Sequence, residues 1–445
     1  MRSRLDSYFG VRAAGSTIRR EVVGGLTTFL TMAYILVVNP AILADAGMAT
    51  DGALLATALA SAFATLLMGL VANLPVGLAP GMGLNAFFAY TICAHPDTSW
   101  QIGLGLIVMV SIVFFLLTIG RVRTLLTVAV PPTLRFAAAV GIGLFIAFIG
   151  LKSAGIVVAH PVTFVALGDI SAPHTLLAVL GLGATLLFVA RGIASSIFWG
   201  LLLTAIAGAV TGLVTVQGSW VELPSGRLPG LDVQVVEALR PQYLLLGITL
   251  LFFALFDAMG TLYAVGAEAK LLDERGNFPR LGRALMVDAS GALAGGLLGT
   301  SSVTCYIESA TGVSVGARTG LASVVTGIAF LGALFFMPLI AAVGAGVSAG
   351  GQVFTPVTAP ALVVVGILMT RSVVRIDWSD ITECVPAFLT IVIMPFTFSI
   401  AHGLAVGFIS YAFMKLCSGR WREAHWLVYL LAVLFATLYY WGGGH

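Results

Sequence analysis

The stretch GTSSVTCYIESATGVSVGA, at Gly299–Ala317, stands between two long apolar runs. It is short, rich in serine, threonine and glycine, and it carries a single carboxylate, Glu308. A charged side chain at mid-membrane costs at least about 2.5–3.5 kcal/mol on insertion scales, so such residues face the protein interior and often mark a substrate or ion pathway. We therefore expect Glu308 to belong to a functional site inside a membrane protein.

The composition of the chain indicates a polytopic membrane protein. Of its 445 residues, 59% are hydrophobic and only 9% are charged, whereas a soluble domain carries about 25% charged residues. The 52 glycines are typical of transmembrane helices that pack closely. The chain has no CxxC and no His-paired cysteine spacing, so we expect no metal site and no disulfide framework. Its cysteines are Cys93, Cys305, Cys384 and Cys417.

Apolar runs predict about 14 membrane-spanning segments, since about 20 apolar residues cross the hydrocarbon core as a helix. The predicted segments are 22–43, 52–72, 76–93, 101–120, 131–152, 174–190, 193–216, 242–265, 281–299, 302–316, 318–345, 356–371, 385–400 and 403–418. The stretch 424–441 is either a further span or a segment lying against the bundle. With a cytoplasmic N-terminus, only Lys152, Arg227 and Arg240 of the 22 basic residues fall on the outer side, which agrees with the positive-inside rule.

The polar loop 217–241 divides the chain into two halves of about seven segments each. An odd number of segments gives the halves opposite orientations, as in inverted-repeat transporters. In the first half, NLPVGLAPGMGLNAFFAY (Asn73–Tyr90) corresponds to Gly299–Ala317, and prolines and glycines interrupt it. Paired interrupted segments are the best sequence pointer to a transporter's binding site, and broken backbone is tolerated at this depth only inside protein or along a cavity. We therefore expect both segments to meet at a central site.

Three acids lie within the predicted spans: Asp257, Asp288 and Glu308. We expect substrate roles for Asp257, which lies in the middle of its span, and for Glu308. Asp288 lies nearer a membrane face, where hydrogen bonding to backbone is the expected role. Asn85 is the polar counterpart of Glu308 in the first interrupted segment, and its amide both donates and accepts hydrogen bonds.

Carboxylates accept hydrogen bonds and repel anions, so these residues favour a planar heterocycle with ring N–H or amino groups. A carboxylate in a low-dielectric site tends to hold a proton, which allows uptake to be coupled to a proton gradient. Aromatic rings near the acids offer stacking surfaces for a flat ring, although core packing explains each of them alone. These aromatic residues are Phe87, Phe88, Phe256 and Tyr306.

The chain resembles the nucleobase:cation symporter superfamily of xanthine and uracil permeases, and within it the azaguanine-type branch of adenine, guanine and hypoxanthine permeases. The similarity extends over nearly the whole chain. The stretches that carry it are GGLTTFLTMAYILVVNPAIL (Gly24–Leu43), APGMGLNAFFAY (Ala79–Tyr90), LFDAMGTL (Leu255–Leu262), GTSSVTCYIESATGVSVGARTGL (Gly299–Leu321) and TAPALVVVGILM (Thr358–Met369).

The resemblance implies an all-α polytopic fold of 14 segments in two inverted sevens, with a short β-strand and a half-helix in segments 3 and 10. A core domain would carry the substrate against a gate domain in an elevator-like movement, and a homodimer is expected. The implied divisions are a cytoplasmic tail (1–21), core (22–120), gate (121–216), an extracytoplasmic linker (217–241), core (242–345), and gate with the C-terminal apolar segment (346–445).

The resemblance also implies the site residues. Glu308 and Asp257 would bind the purine edge and couple protons. The remaining predicted substrate-binding residues are Asn85, Gly83, Phe256, Thr304 and Ser309. One departure matters, because the branch often carries a second acid, in the pattern VDLFDT, where this chain has Ala254. Asp257 and Glu308 would then carry more of any proton coupling.

The leading interpretation is a proton-coupled importer of purine nucleobases in the lipid bilayer of a plasma membrane, the bacterial inner membrane in particular. The alternatives are a carrier of the same fold for xanthine, uracil or an anion, and a sodium-coupled or uniport nucleobase carrier. An anion site would use helix N-termini and a cation, yet the interrupted segments offer only Arg318, at a cytoplasmic end. No motif indicates an enzyme, and we expect no cofactor, metal ion or nucleic-acid partner.

Overall fold

The structure is a computed structural model that describes residues 2–95, 97–120, 130–215, 220–222, 226–272 and 278–441. Within its helices a few side chains, those of Phe256 and Asp257 among them, lie outside the description. The described part is mostly helical. Its α-helices are α1 (Arg2–Phe9), α2 (Ile18–Met32), α3 (Ile35–Asp45), α4 (Thr50–Leu67), α5 (Met82–Phe87), α6 (Trp100–Ile119), α7 (Pro132–Ser153), α8 (Pro173–Ala190), α9 (Ser196–Val210), α10 (Val235–Ala238), α11 (Leu244–Glu268), α12 (Leu281–Leu298), α13 (Ser309–Ser314), α14 (Gly320–Ala333), α15 (Met337–Gly344), α16 (Ala359–Thr370), α17 (Ile381–Phe396), α18 (Ile400–Cys417) and α19 (Trp426–Trp441).

Six short strands form three antiparallel pairs in the described residues. The first pair joins the two halves of the chain, and the other two are local hairpins that the sequence analysis did not predict. The pairs are β1 (Leu78–Pro80) with β4 (Val303–Cys305), β2 (Val157–His160) with β3 (Phe164–Leu167), and β5 (Val347–Ala349) with β6 (Gln352–Phe354).

Length and composition identify eight helical segments in the described chain that can cross a membrane. Further apolar helices are shorter, α9 and α17 among them. The chain is therefore a multi-pass membrane protein, and the count of 14 segments stays a prediction. The eight segments are Ile18–Asp45, Thr50–Ala72, Trp100–Ile119, Pro132–Ser153, Pro173–Ala190, Leu281–Leu298, Gly320–Gly344 and Ile400–Cys417.

The interrupted segments meet inside the bundle through β1 and β4, with Leu78 opposite Cys305 and Pro80 opposite Val303. A six-residue helix follows each strand, α5 after β1 and α13 after β4. Further backbone hydrogen bonds join the segments. In one of them the N–H of Tyr306 donates to the carbonyl of Gly77 at 3.0 Å. The broken backbone thus finds its hydrogen-bond partners within the protein, as burial requires.

Helices α4, α11 and α12 pack against this strand pair, while α2 packs against α13 and α14, and α14 packs against α4. A Cβ atom added at Gly312 of α13 would lie 2.1 Å from Oγ1 of Thr28 and 2.4 Å from the carbonyl oxygen of Gly24, both on α2. Only glycine permits so close an approach between the two backbones. The position of α13 therefore depends on small residues on both helices.

A second group of helices faces the first. Helix α7 packs against α16, α17 and α18, and α8 packs against α9. A Cβ atom added at Gly366 would lie 2.4 Å from the carbonyl oxygen of Gly143, which brings α16 directly against α7. These helices belong to the ranges 121–216 and 346–445, which the sequence analysis assigned to a gate domain.

Two predicted boundaries differ from the observed helices because capping residues set them. The predicted segment 22–43 is two helices separated at Ala33 and Tyr34, and the first begins at Ile18 because Thr17 accepts a hydrogen bond from the N–H of Arg20. The segment predicted to begin at 385 begins at Ile381. There Asp380 accepts from the N–H of Thr382 at 2.9 Å, as an N-cap residue does.

The C-terminal helix α19 packs against α18, where the rings of Phe435 and Phe408 lie 5.7 Å apart. An ionic cluster fastens the turn before α19. Nζ of Lys415 lies 2.7 Å from Oε1 of Glu383 and 3.0 Å from Oε2 of Glu423. The lysine side chain is only 1% exposed, so its charge depends on these two carboxylates.

Candidate functional site

A cavity of about 890 Å³ lies between the two groups of helices. One wall comes from the helices around the strand pair and the other from α7, α16 and α18. The lining includes Thr31, Glu308 and Thr311 on the first wall and Ile142, Met369 and Phe408 on the second.

Glu308 lies in the turn between β4 and α13 and is half-buried. Its Oε1 accepts a hydrogen bond from the hydroxyl of Tyr34 at 2.9 Å. Tyr34 is 1% exposed and stands at the break between α2 and α3. Among the described residues, no lysine or arginine forms an ion pair with Glu308, so its carboxylate retains acceptor capacity towards the cavity.

Tyr34 is a site residue that the sequence analysis missed. It lies in the mainly apolar stretch Gly24–Leu43, and nothing in the local pattern singles out this tyrosine. The contact joins residues 274 positions apart, which only the folded chain reveals.

Ser309, a predicted ligand, is fully buried and holds the two interrupted segments together. Its Oγ accepts from the N–H of Gly77 at 2.9 Å. Tyr306 acts in the same way, donating from its hydroxyl to the carbonyl of Pro80 at 2.5 Å. Thr304 stands opposite Ala79 in the strand pair, is 4% exposed, and its hydroxyl has no hydrogen-bond partner within the described structure.

Asn85 and Gly83 lie on α5, behind the cavity wall. Asn85 is fully buried, and its Oδ1 accepts from the hydroxyl of Ser301, while its Nδ2 has no partner within the described structure. A Cβ atom at Gly83 would lie 2.5 Å from Cζ of Phe253 and 2.9 Å from Cγ2 of Ile142, and these two residues line the cavity. The glycine therefore allows α5 to lie directly behind that wall.

The predicted ligands Asp257 and Phe256 have side chains outside the described part, so only the backbone of α11 bears on them. Phe253, Gly260 and Ala264 of this helix line the cavity. Position 257 lies one turn from Phe253 and from Gly260, and residues three or four apart share a helix face. The backbone thus places position 257 on the cavity face of α11.

Asp288 is buried within the bundle, and its expected position near a membrane face stays a prediction. It lies on α12 and is 2% exposed. Its Oδ1 accepts a hydrogen bond from Sγ of Cys305 in β4 at 3.5 Å. The carboxylate is therefore buried against the back of the strand pair. The packing of α12 on β4 buries this side chain, and sequence position alone does not show that packing.

An aromatic cluster joins the end of the first interrupted segment to the facing helices. The ring of Phe398 lies 5.6 Å from that of Tyr90 and 5.0 Å from that of Phe145. Nζ of Lys152 lies 5.6 Å from the centre of the Phe398 ring. The aromatic cluster thus lies at the end of the bundle where Lys152 lies, which the sequence analysis predicts to be the outer side.

These features define the class of the protein. A helical bundle with two paired interrupted segments, one of which lines an internal cavity, is typical of a membrane transport protein. The transmembrane domain of the cyanobacterial bicarbonate transporter BicA has the same fold, with a TM-score of 0.62 over 87% of this chain and 96% of that chain. Murine Slc26a9, an anion transporter, matches with a TM-score of 0.62 over 91% of this chain and 69% of that chain. Identities of 17% and 9% limit these likenesses to the fold.

Residues 19–406 match the permease family of xanthine and uracil permeases, and the chain belongs to this family. It is 44% identical to the adenine permease AdeP of Escherichia coli K12, over 97% of this chain and 95% of that protein. It is 41% identical to the guanine/hypoxanthine permease PbuG of Bacillus subtilis 168, over 97% of this chain and 98% of that protein. The resemblance seen in the sequence is confirmed, and the protein is a permease rather than an enzyme.

Proposed function

We propose that this permease imports purine nucleobases of the adenine, guanine and hypoxanthine class by proton symport. The observation that carries the proposal is the carboxylate of Glu308, which lines the cavity and is bound by a neutral hydroxyl rather than by a cation. The similarity to the adenine permease AdeP and the guanine/hypoxanthine permease PbuG supports the purine class.

The geometry suits recognition of a purine edge. A half-buried carboxylate accepts hydrogen bonds from ring N–H and amino groups, and such charge-assisted bonds are stronger than neutral ones. The hydroxyl of Tyr34 fixes one oxygen and leaves the other to the ligand. Apolar residues such as Ile142 and Phe253 line the cavity beside it, as is usual for pockets that orient a ligand with few polar groups.

Proton coupling would use the same carboxylate. A carboxylate without a cationic partner in a cavity of low dielectric constant takes up a proton more readily than one in water. Position 257, on the cavity face of α11, would supply the second acid. Since Ala254 stands where the branch often has another acid, the coupling would depend on Asp257 and Glu308 alone.

For the movement, we propose that the helices around β1 and β4 shift as one body against the second group, in an elevator-like manner. The close glycine contacts within each group support this division, since tightly packed groups move together. The proposal includes 14 segments in two inverted repeats, a cytoplasmic N-terminus, a homodimer and a bacterial inner membrane.

The test is uptake of labelled adenine into cells that lack their own purine transport. Guanine, hypoxanthine, xanthine, uracil and bicarbonate serve as competitors. We expect saturable uptake that the purines inhibit and that a protonophore abolishes. Uptake that needs sodium, or that ignores the pH gradient, would replace proton symport by the sodium-coupled or uniport alternative. Absence of purine uptake by membrane-inserted protein would refute the substrate class.

A further inference from the structure

Three arginines line the same cavity as Glu308. Arg135 lies in the first turn of α7, and Arg371 and Arg375 lie in the 3₁₀ turn Arg371–Arg375 that follows α16. The guanidinium carbon of Arg375 is 5.6 Å from the centre of the ring of Phe136, the neighbour of Arg135. Two elements that pack together therefore bring the three cations to one part of the cavity wall.

No acid neutralises these cations in the structure as described. Across the described ranges, no aspartate or glutamate forms an ion pair with any of the three arginines. The buried Nε of Arg135 also has no hydrogen-bond partner there. Buried polar groups are normally hydrogen-bonded, so this donor indicates an acceptor that a ligand supplies.

The general preference for basic residues at the cytoplasmic membrane surface does not explain why these three arginines line the cavity. Basic residues are common at cytoplasmic membrane ends, and Arg191 is an example, exposed at the C-terminal end of α8. Arg135 is half-buried, and Arg371 and Arg375 are exposed like Arg191, but these three arginines line the cavity and Arg191 does not. The planar guanidinium matches the geometry of phosphate oxygens, which it often binds through two parallel hydrogen bonds.

The size of the cavity also favours a ligand larger than a bare nucleobase. Its volume of about 890 Å³ lies towards the upper end of the roughly 300–1,000 Å³ that suits a drug-sized ligand. A bare nucleobase is smaller than such a ligand. The cavity thus combines an acceptor for N–H groups at Glu308 with donors for an anion at the arginines.

We propose that Arg135, Arg371 and Arg375 form a phosphate-group site, which takes the phosphate of a purine nucleoside 5′-monophosphate whose base lies towards Glu308. The base end of this inference rests on the proposed function, whereas the phosphate end rests on the arginines alone. All three were predicted to lie on the cytoplasmic side, so the nucleotide would enter from there and compete with the base. A nucleotide made from the imported base would then restrain further import.

The experiment compares ligands that differ by the phosphate. The full chain is purified into nanodiscs of zwitterionic lipid, and the dissociation constants of AMP, adenosine, inorganic phosphate and adenine are measured by calorimetry. We expect AMP to bind at least about tenfold more tightly than adenosine, since hydrogen bonds between charged groups are among the strong ones. Inorganic phosphate should compete with AMP.

The variants Arg135→Gln, Arg371→Gln and Arg375→Gln should each remove most of the advantage of AMP over adenosine. The matched control Arg191→Gln removes an arginine outside the cavity and should keep that advantage. Equal affinities for AMP and adenosine in the parent protein, or equal losses in the control, would overturn the nucleotide assignment.

A lipid headgroup offers the same phosphate chemistry, so a second arm replaces zwitterionic lipid by phosphatidylglycerol. Stabilisation by that lipid, lost in the three variants but not in the control, would identify the headgroup as the source of the phosphate. If neither AMP nor phosphatidylglycerol shows a dependence on the three arginines, the site itself is refuted. The uptake of adenine is measured separately, so loss of the purine function and loss of this site are distinguishable.

Discussion

Glu308 is the acidic residue of the cavity whose surroundings the structure describes. Its hydrogen bond with Tyr34 fixes the orientation of its carboxylate. The variant Glu308→Gln keeps the shape and removes the charge. We expect purine uptake to fall at least about tenfold, since a hydrogen bond to a charged group is worth about 1.5–3 kcal/mol. Uptake and the amount of protein in the membrane are measured together. The control Glu268→Gln changes an exposed acid at the end of α11, and normal uptake by Glu308→Gln would refute the site.

Tyr34→Phe tests whether the hydroxyl positions the carboxylate. The ring is buried and stays packed, so we expect the protein to fold and its KM for the purine to rise several-fold. The control is Tyr263→Phe, at a half-exposed tyrosine on α11. If Tyr34 acts through Glu308, the double variant Tyr34→Phe with Glu308→Gln should be no worse than Glu308→Gln alone. Additive losses would show that Tyr34 acts independently.

At this scale the sequence singled out Glu308 and missed its partner Tyr34. Glu308 stands out because a charged residue in an apolar stretch is energetically costly and can be recognised from the sequence alone. Ser309 and Asn85 were also polar residues in the interrupted segments, but the structure buries both in contacts between those segments. Which polar residue faces the cavity depends on how α5 and α13 pack, and local sequence does not show that packing.

Among the elements, helix α13 is held in place by contact between glycines. Gly312→Ala would force a Cβ atom against Thr28 and the backbone of Gly24. We expect it to push α13 away from α2 and lower both purine uptake and the melting temperature, since overpacking typically costs about 1–3 kcal/mol. The control Gly332→Ala places a methyl group where no atom lies within 4 Å and should change neither quantity. Equal behaviour of the two variants would contradict this account.

The interrupted segments were predictable as elements because prolines and glycines mark them, and a short β-strand in each was implied by the resemblance, but the pairing of these strands was not predicted. The hairpins β2–β3 and β5–β6 were not predicted. Their strands are only three or four residues long and largely exposed, so they carry no clear alternation of apolar and polar residues. The observed helix ends differ from the predicted ones where a single side chain caps the helix, as Asp380 does for α17.

For the whole molecule, the aromatic cluster around Phe398 holds the two helix groups together on the predicted outer side. Phe398→Ala removes ring contacts worth about 0.5–1.5 kcal/mol each. We expect the outer side to open more often and an impermeant maleimide to label Cys93, three residues beyond Tyr90, several times faster from outside. The readout is mass spectrometry of Cys93. Phe396→Ala, at an exposed position, is the control. Unchanged labelling of Cys93 would show that the cluster is not a barrier.

The overall architecture was predictable in outline because apolar length and charge bias are properties of the whole chain. The arrangement of helices into two packed groups was implied only by the resemblance. The cavity between them arises from contacts such as Gly143 with Gly366, which join positions more than 200 residues apart. Such contacts leave no periodic signal in the sequence.

The ionic cluster around Lys415 bears on how the protein is made. A chain emerging from the ribosome presents α17 and α18 before the turn that holds Glu423, so Lys415 gains its second carboxylate only when that turn has been synthesised. Until then a nearly buried ammonium group is only partly compensated, which is unfavourable. Synthesis of the turn that follows α18 is thus coupled to the stable packing of α17 and α18. We therefore expect substitutions in this turn to expose the chain to the cell's quality-control proteases before they affect transport.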